Sequence, residues 1–221
     1  MHVMDFPEKT QDYLKSIWDI VERTGSPAQL GVIAATVGQK TPTASEAIKR
    51  LAAKGLVEHE KYAGVVLTPE GNKVAVAMVR RHRLIEMFLV EIMGYGWDEV
   101  HDEADLLEHS VSDQFLHRVD QMLGFPTRDP HGDPIPNAQG VTEKLSTQAL
   151  SEVALGERVV VEQIHDGDSD FLRYLADVGI VPGATIVVQN PPVAGMITVH
   201  VGEREVPLSI QSAADIRVVR R

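Results

Sequence analysis

The sequence predicts a mainly α-helical protein with a small all-β domain in its last third. Three observations support this fold class. Apolar residues recur at spacings of three and four over much of the first 123 residues, which is the pattern of amphipathic helices. A proline-rich segment follows, and from about Ser151 short β-branched runs alternate with turns. The chain therefore has a helical part followed by a β part.

The first part of the chain has the pattern of a helix-turn-helix. A first helix is expected over residues 12–21, and its apolar stripe consists of Leu14, Ile17, Trp18 and Val21. A short second helix is expected over about 29–36. A third begins with Thr41 as a plausible N-cap and Pro42 as the first helical residue, and it ends at Gly55.

A β-hairpin is expected directly after these helices. Residues 56–60 and 65–68 have the composition of short strands, and the turn between them contains a glycine. A helix-turn-helix followed by such a hairpin is a winged helix, and this pattern is typical of DNA-binding domains.

Helical periodicity returns after the hairpin, over about 72–92 and about 100–123, and both helices are apolar over much of their surface. The segment 126–137 holds four prolines and is therefore expected to be a linker. The β-branched runs beyond it predict a small barrel or sandwich, and they are Arg158–Val161, Thr185–Val188, Met196–Val201, Glu205–Val206 and Ile216–Val219.

Composition limits the chemistry that the chain can perform. It has no cysteine, so thiolate metal sites, iron–sulfur clusters and cysteine nucleophiles are excluded. The net charge of −11 argues against a nucleic-acid partner, yet residues 28–73 carry six basic and four acidic side chains, a local +2. With no apolar run that could span a membrane and no signal-peptide pattern, we expect a cytoplasmic protein.

The segment from His101 to His109 is the most informative for function. On a continuous helix the side chains of His101, Asp105, Glu108 and His109 would share one face. Grouped carboxylates repel one another unless a cation lies between them, so we expect a divalent metal site. On the preceding long helix, the i, i+4 residues His82 and Glu86 add a further pair.

Other interpretations of these patterns stay open. A single histidine or glutamate on a helix is more often a solvated surface residue than a metal ligand. A carboxylate and histidine cluster could also serve a metal-dependent enzyme, although no separate nucleophile or general base stands out near it. A DNA-binding regulator of another class, with a purely structural cluster, is a further alternative.

The chain resembles the diphtheria-toxin-repressor family of iron- and manganese-dependent repressors over nearly its full length. The phrases that carry the resemblance are Thr10–Leu14, Pro42–Ser45, Arg81–Leu84, His101–His109 and His131–Pro136. The resemblance implies a homodimer with a winged-helix domain over 1–73, a helical metal-binding and dimerisation domain over 74–140, and an SH3-like β-barrel over 150–221. It also implies a palindromic DNA operator as partner, no enzymatic activity, and neither a membrane nor a small organic substrate.

The resemblance further implies two metal sites in each subunit. The regulatory site would use Asp12, Asp105, Glu108 and His109, and the backbone oxygen of Asp105 is a further candidate ligand. The ancillary site would use His82, Glu86 and His101, together with Glu162 and His165 from the C-terminal domain.

The departures of this chain from the iron-sensing branch favour manganese. That branch has Met and Cys at the positions of Asp12 and Asp105, and Gln at the position of His165. Hard carboxylates in place of sulfur suit Mn²⁺, with Fe²⁺ as the alternative, while Zn²⁺, Co²⁺ or Cd²⁺ are expected to substitute in vitro. Manganese sensors without a barrel have Glu where Lys15 stands, which argues against a closely spaced pair of ions.

The recognition helix and the wing supply the expected DNA contacts. The candidates for base-edge contacts lie at the start of the third helix and are Thr41, Pro42, Thr43, Ser45 and Glu46. The candidates for phosphate contacts are Lys40, Lys49, Arg50 and Lys61.

Overall fold

The structure, a computed structural model, describes residues 2–60, 63–146 and 148–220. Helices dominate up to about residue 122, and the later part of the chain is mostly β-sheet. The predicted fold class is confirmed, because a winged helix-turn-helix, a helical region and a small sheet domain follow one another. Within the described residues, no helix has the length and hydropathy needed to cross a membrane.

The winged helix-turn-helix is built on a buried helical core. Its elements are α1 (Glu8–Thr24), α2 (Leu30–Thr36), α3 (Thr41–Ala53), β1 (Val57–Glu60) and β2 (Gly64–Leu67). Leu14 and Ile17 of α1 and Ile48 of α3 have no exposed surface, so the predicted apolar stripes do face one common core. The hydrophobic effect of burying these side chains holds the three helices together.

Two local details of this domain refine the prediction. Helix α3 is capped by Lys40 without a side-chain hydrogen bond, so the expectation of Thr41 as N-cap is wrong by one residue. Pro42 lies in the first turn, where its missing N–H breaks no helical hydrogen bond. The predicted hairpin is confirmed, with Val57 opposite Leu67 in an antiparallel register.

The helical region consists of α4 (Pro69–Phe88), which continues into a π-helical turn, α5 (Val100–Leu107) and α6 (Asp113–Met122). The expectation of one continuous helix over about 100–123 is therefore wrong. Helix α5 ends at Leu107, and α6 starts anew where the Ser112 hydroxyl accepts a hydrogen bond from the Phe115 N–H at 3.2 Å. Glu108 and His109 consequently lie in a turn between two helices.

In the C-terminal part, five strands of the described residues form one antiparallel sheet of SH3-like type. They are β3 (Arg158–Ile164), β4 (Thr185–Val193), β5 (Met196–Val201), β6 (Arg204–Ser209) and β7 (Ile216–Arg220), paired in the order β6-β5-β4-β3-β7. The register shifts within β3–β7 and within β4–β5, which bends the sheet around its core.

The sheet domain also contains two helices that the sequence analysis missed, α7 (Ser169–Val178) and the short α8 (Ile210–Ala214). The signals for α7 were present. The Asp168 carboxylate caps its start at the Phe171 N–H, 3.0 Å away, and Gly179 ends it in a left-handed conformation. The helix was missed because the segments on both sides of it have the sequence pattern of strands.

The described residues form two compact units. The N-terminal unit contains the residues up to His82 together with Glu108–Ser110 and Pro136–Val141. The C-terminal unit contains Arg83–Leu107, Val111–Ile135 and the residues from Thr142 onward. The turn that carries Glu108 and His109 thus packs with the winged helix, although it is continuous in sequence with α5 and α6.

Within the C-terminal unit, the loop before the sheet domain fits closely against β3. The Ile164 N–H donates to the backbone oxygen of His131 at 2.9 Å. Gly132 has a φ of 92°, and a Cβ built there would lie 2.1 Å from the backbone oxygen of Glu162. Only glycine fits at this position, because both the conformation and the space exclude a side chain.

We predict that Gly132→Ala lowers the free energy of unfolding by roughly 2–5 kcal/mol, through backbone strain and the clash with β3. Gly183→Ala is the matched control, because Gly183 has a similar φ of 88° but open space around it. That control should cost about 1–2 kcal/mol. Urea denaturation of both variants checks the difference, and equal losses would contradict the close fit against β3.

Candidate metal centres and DNA-binding surface

The first cluster lies in the N-terminal unit and consists of Asp12, Glu108 and His109. Asp12 comes from the second turn of α1, and the other two residues come from the turn after α5. His109 Nε2 lies 2.9 Å from Asp12 Oδ1 and 3.4 Å from Glu108 Oε1. One ligand atom from each residue lies within 4.8 Å of the others, close enough for a single ion to reach all three.

Glu108 is held as a carboxylate inside the N-terminal unit. Its side chain is 1% exposed, and Lys15 Nζ donates to both of its oxygens, at 2.7 and 2.8 Å. His82 Nδ1 lies 2.6 Å from the Oε2 atom. Burial opposes ionisation, but the hydrogen bond from His82 and the charge of Lys15 outweigh it, so the pKa of Glu108 lies below its ordinary value.

Gln11 orients the imidazole of the first cluster. His109 Nδ1 lies 2.9 Å from Gln11 Oε1, and Gln11 in turn donates to the backbone oxygen of Phe6 at 2.7 Å. An Nδ1–H that donates to Gln11 leaves the lone pair on Nε2, which is the atom facing Asp12 and Glu108. The sequence analysis missed Gln11, because its partner lies 98 residues away along the chain.

The second cluster lies in the C-terminal unit and consists of Glu86, His101 and Asp166. His101 Nδ1 is 2.9 Å from Asp166 Oδ2 and 3.3 Å from Glu86 Oε1. The Asp166 carboxylate is partly buried, which opposes its ionisation. Hydrogen bonds from His101 and His165 outweigh this, so the pKa of Asp166 lies well below its ordinary value. The sequence analysis missed Asp166, which directly follows the predicted ligand His165.

The four ligands expected on one helical face are carried by two different elements. Because α5 ends at Leu107, Glu108 and His109 belong to the first cluster, whereas His101 belongs to the second. Asp105 lies on α5 with Oδ2 at 3.8 Å from His101 Nε2. The assumption of a helix that continued past residue 107 is wrong, so the four side chains do not lie on one helix.

The remaining ancillary candidates have other surroundings. Glu162 Oε1 accepts from Arg128 at 3.1 Å and Oε2 accepts from the Ser146 N–H at 2.6 Å, and Glu162 is in none of the clusters of described residues. His165 Nδ1 lies 3.4 Å from Asp166 Oδ1. His82 belongs to the N-terminal unit, where its Nδ1 atom lies 2.6 Å from Glu108 Oε2 and 3.3 Å from Lys15 Nζ.

A third cluster shares Glu86 with the second and adds Asp129 and His131, all of them buried. His131 Nε2 lies 2.6 Å from the Trp97 backbone oxygen, so its Nδ1 carries the lone pair and faces Glu86 Oε2 at 3.9 Å. Burial and the nearby Asp133 and Glu86 raise the pKa of Asp129 well above its ordinary value. The sequence analysis gave these residues no role, although His131 opens one of the phrases that it quoted.

Helix α3 presents an exposed polar face in the N-terminal unit. Thr41, Pro42, Thr43, Glu46, Lys49 and Arg50 are exposed, Ser45 is half-buried, and Lys40 precedes the helix in an exposed position. Glu46 and Lys49 form an exposed ion pair at 2.7 Å. Lys61, the remaining predicted DNA contact, lies outside the described residues. The α3 candidates thus lie on the surface that a recognition helix offers to the major groove.

The winged helix and the first cluster in the N-terminal unit point to a class of protein, a DNA-binding regulator that responds to a metal ion. Residues 5–65 match the "Iron dependent repressor, N-terminal DNA binding domain", and residues 68–137 match the "Iron dependent repressor, metal binding and dimerisation domain". Residues 148–220 match the FeoA domain. The chain belongs to the family of metal-dependent repressors that includes the diphtheria toxin repressor, and it is a metal-dependent, DNA-binding transcriptional repressor.

Individual relatives support this assignment. The iron-dependent repressor IdeR of Mycobacterium leprae is 32% identical over 97% of this chain and 98% of its own length. The diphtheria toxin repressor of Corynebacterium diphtheriae is 29% identical, over 97% and 98%. This is a family of dimerising repressors that bind DNA operators and not of enzymes, so the enzyme alternative is set aside.

Solved structures share the whole fold. A manganese-dependent transcriptional repressor in complex with manganese has a TM-score of 0.91 at 44% identity and covers 96% of this chain and 100% of its own. The manganese regulator SloR has a TM-score of 0.82 at 30% identity, over 96% and 98%. ScaR with bound Zn²⁺ has a TM-score of 0.82 at 33% identity, over 96% and 99%.

We predict that Asp166→Asn lowers the Mn²⁺ bound at equilibrium by one ion per chain, because an amide is a much weaker ligand than a carboxylate. Asp170→Asn is the matched control, since Asp170 pairs with Arg173 at the surface and should leave the count unchanged. Glu162→Gln should also leave it unchanged. Electron paramagnetic resonance of free Mn²⁺ measures the count, and a loss in Glu162→Gln but not in Asp166→Asn would reverse our choice between the two residues.

Proposed function

We propose that the chain is a Mn²⁺-dependent repressor that binds a palindromic operator as a homodimer and controls genes of metal homeostasis. The observation that carries this proposal is the first cluster, in which two carboxylates and one imidazole converge in a chain that has no cysteine. Oxygen-rich ligand sets suit Mn²⁺. A protein that binds operator DNA acts where that DNA is, so we keep the cytoplasm as its location.

Iron is the alternative within the same family. Several relatives are named iron-dependent repressors, whereas structures with similar folds include proteins titled as manganese regulators and one with bound Zn²⁺. Softer ions bind nitrogen-containing sites more tightly in vitro than Mn²⁺ does, so occupancy by Zn²⁺, Co²⁺ or Cd²⁺ would not identify the physiological ion. We favour manganese over iron because Asp12 supplies a hard oxygen to the first cluster.

We assign the regulatory ion to the first cluster and the ancillary ion to the second. Asp166 takes the place that the sequence analysis gave to Glu162, and His165 orients Asp166 through its Nδ1 atom. Asp129 and His131, at the other oxygen of Glu86, are alternative ligands of the ancillary ion. The expected ligand role of Asp105 stays a prediction, and His82 is assigned to orienting Glu108.

The bound ion would supply the positive charge that Asp12 and Glu108 need to lie side by side. Asp12 then fixes the N-terminal part of α1 to the turn Glu108–Ser110. Lys15 and His82 keep Glu108 ionised and oriented, and Gln11 keeps Nε2 of His109 directed at the cluster. Binding that favours one arrangement of α1 also favours one arrangement of α3, because both helices share one core.

On the DNA, the exposed face of α3 enters the major groove. Thr43, Ser45 and Glu46 lie on its first turns, where recognition helices contact base edges. Lys40, Lys49 and Arg50 surround that face and contact phosphates. The family dimerises, so two such faces would read two half-sites of a palindrome about one helical turn apart.

The experiment is an operator titration followed by fluorescence anisotropy, with an operator selected from random duplexes by the manganese-loaded protein. We expect Mn²⁺ to raise the operator affinity by about 5- to 150-fold, the usual range for coupling between two sites. Asp12→Asn and Glu108→Gln should remove most of this increase while the proteins stay folded by circular dichroism. Asp19→Asn, on the same helix but outside the first cluster, should keep it.

Each rival interpretation has its own outcome. Equal affinity with Mn²⁺ and with a chelator would contradict metal dependence and favour a regulator whose clusters are structural. A full response to Fe²⁺ at concentrations at which Mn²⁺ has no effect would favour the iron alternative. If Asp19→Asn lost the response as Asp12→Asn does, the assignment of the first cluster would be wrong.

Lys15 predicts how many ions the first cluster holds. Its ammonium contacts both oxygens of Glu108 and so provides a fixed positive charge where a second ion would otherwise bind. We predict that Lys15→Glu binds one more Mn²⁺ per chain than the wild type and shows exchange-coupled Mn²⁺ in its electron paramagnetic resonance spectrum. Lys15→Gln should bind no additional ion, and exchange coupling already present in the wild type would contradict this role.

A further inference from the structure

A cavity of about 200 Å³ lies in the N-terminal unit between the start of α1 and one side of α3. The polar side chains that line it are Lys9, Thr10, Tyr13, Gln39, Thr43, Arg50 and Lys54. A single water needs only roughly 10–15 Å³ of such space, so the cavity has room for a larger polar group. It does not belong to any of the three clusters described above.

The lining of this cavity is strongly positive. Lys9, Arg50 and Lys54 contribute three cationic groups, and no carboxylate lines it among the described residues. The chain as a whole has a net charge of −11, so the charge around this cavity is opposite in sign to the net charge of the chain. Cations gathered around a concave surface repel one another unless an anion lies between them.

Tyr13 supplies an independent indication of a ligand. Its side chain is 6% exposed and packs in the winged-helix core, and the residue is one of those that line the cavity. Within the described residues its buried hydroxyl has no hydrogen-bond partner. Buried polar atoms in proteins almost always have one, so a ligand with acceptor oxygens would complete its environment.

The position of the cavity relates it to DNA. Thr43, Arg50 and Lys54 are spaced at i, i+7 and i+11, so they form one stripe along α3. This stripe runs beside the exposed face that carries Glu46 and Lys49. When a recognition helix lies in the major groove, the phosphate backbone passes along its flanks.

We propose that this cavity binds one backbone phosphate of the operator, with Lys9, Arg50 and Lys54 around the phosphate and the Tyr13 hydroxyl donating to one of its oxygens. The inference rests on the proposed function and deepens it. A free phosphate ion offers the same oxygens, but the DNA backbone is the source favoured by the place of the cavity on α3. Tyr13 directly follows Asp12 on α1, so the helix that carries a regulatory ligand also carries part of this pocket.

The salt dependence of operator binding, measured at saturating Mn²⁺, tests the charged part of the pocket. Lys54→Gln should reduce the slope of log affinity against log salt by about 0.9, the value expected when the protein neutralises one phosphate fewer. Lys73→Gln is the matched control, because Lys73 pairs with Glu70 in the same unit, away from the cavity, and should leave the slope unchanged. An unchanged slope in Lys54→Gln would overturn the proposal.

Tyr13→Phe keeps the packed ring and removes only the hydroxyl. It should lower the operator affinity by roughly 2- to 12-fold, the range for one hydrogen bond, and leave the salt slope unchanged. Equal affinity of this variant and the wild type would show that the hydroxyl has no ligand on DNA. Thermal unfolding without DNA should remain close to that of the wild type, which shows that the weaker affinity comes from binding.

Single methylphosphonate substitutions in the operator identify the phosphate itself. At one position in each half-site, the neutral phosphonate should lower the operator affinity of the wild type. It should lower the affinity of Lys54→Gln much less, since this variant no longer has the ammonium that pairs with that phosphate. Additive effects at every position would contradict the pocket. If inorganic phosphate, compared with chloride at equal ionic strength, competed with DNA while no phosphonate had a specific effect, the ligand would be a free phosphate and the DNA assignment would be wrong.

The two proposals fail in different ways. If the wild type binds the operator equally well with Mn²⁺ and with a chelator, the proposed function is contradicted. The effects of Lys54→Gln and Tyr13→Phe on operator affinity can still be measured in that case, so the phosphate pocket remains testable. A wild type that responds to Mn²⁺ while both variants behave like it contradicts only the phosphate pocket.

Discussion

The buried carboxylate of Glu108 is the constraint on which the N-terminal unit depends. An ionised group with 1% exposure is stable only when charges and donors surround it, and here Lys15 and His82 do so. Removing one partner of such a pair typically costs about 3–5 kcal/mol. Because Glu108 is held in this way, its Oε1 atom lies 3.4 Å from His109 Nε2, the atom that also faces Asp12.

The C-terminal unit also contains a buried carboxylate, that of Glu86. The loop around His131 contacts β3 through its backbone, and Trp97 stacks on the His131 ring at 5.7 Å. Glu86 lies beside this loop with one oxygen directed at His101 and the other at His131. Glu86 therefore lies between α5 and the loop that precedes the sheet domain.

The sequence predicted those features that depend on local periodicity, such as the helices of the winged helix and the hairpin with Val57 opposite Leu67. It also identified ligand-type residues by chemistry alone. It failed where partners are set by tertiary contacts, as with Gln11 and Asp166, and where a helix stopped unexpectedly at Leu107. A helical wheel assumes continuity, so it gives the wrong directions for Glu108 and His109, which follow the end of α5 at Leu107.

The central claim is that metal at the first cluster and operator on α3 stabilise the same arrangement of the N-terminal unit. Linkage then requires the operator to tighten Mn²⁺ binding by the same factor by which Mn²⁺ tightens operator binding. The most direct measurement is the Mn²⁺ affinity of the dimer with and without a saturating operator, by calorimetry. The account predicts tighter binding on DNA in the wild type and no such change in Asp12→Asn. Equal Mn²⁺ affinities for the free and the DNA-bound wild type would contradict it.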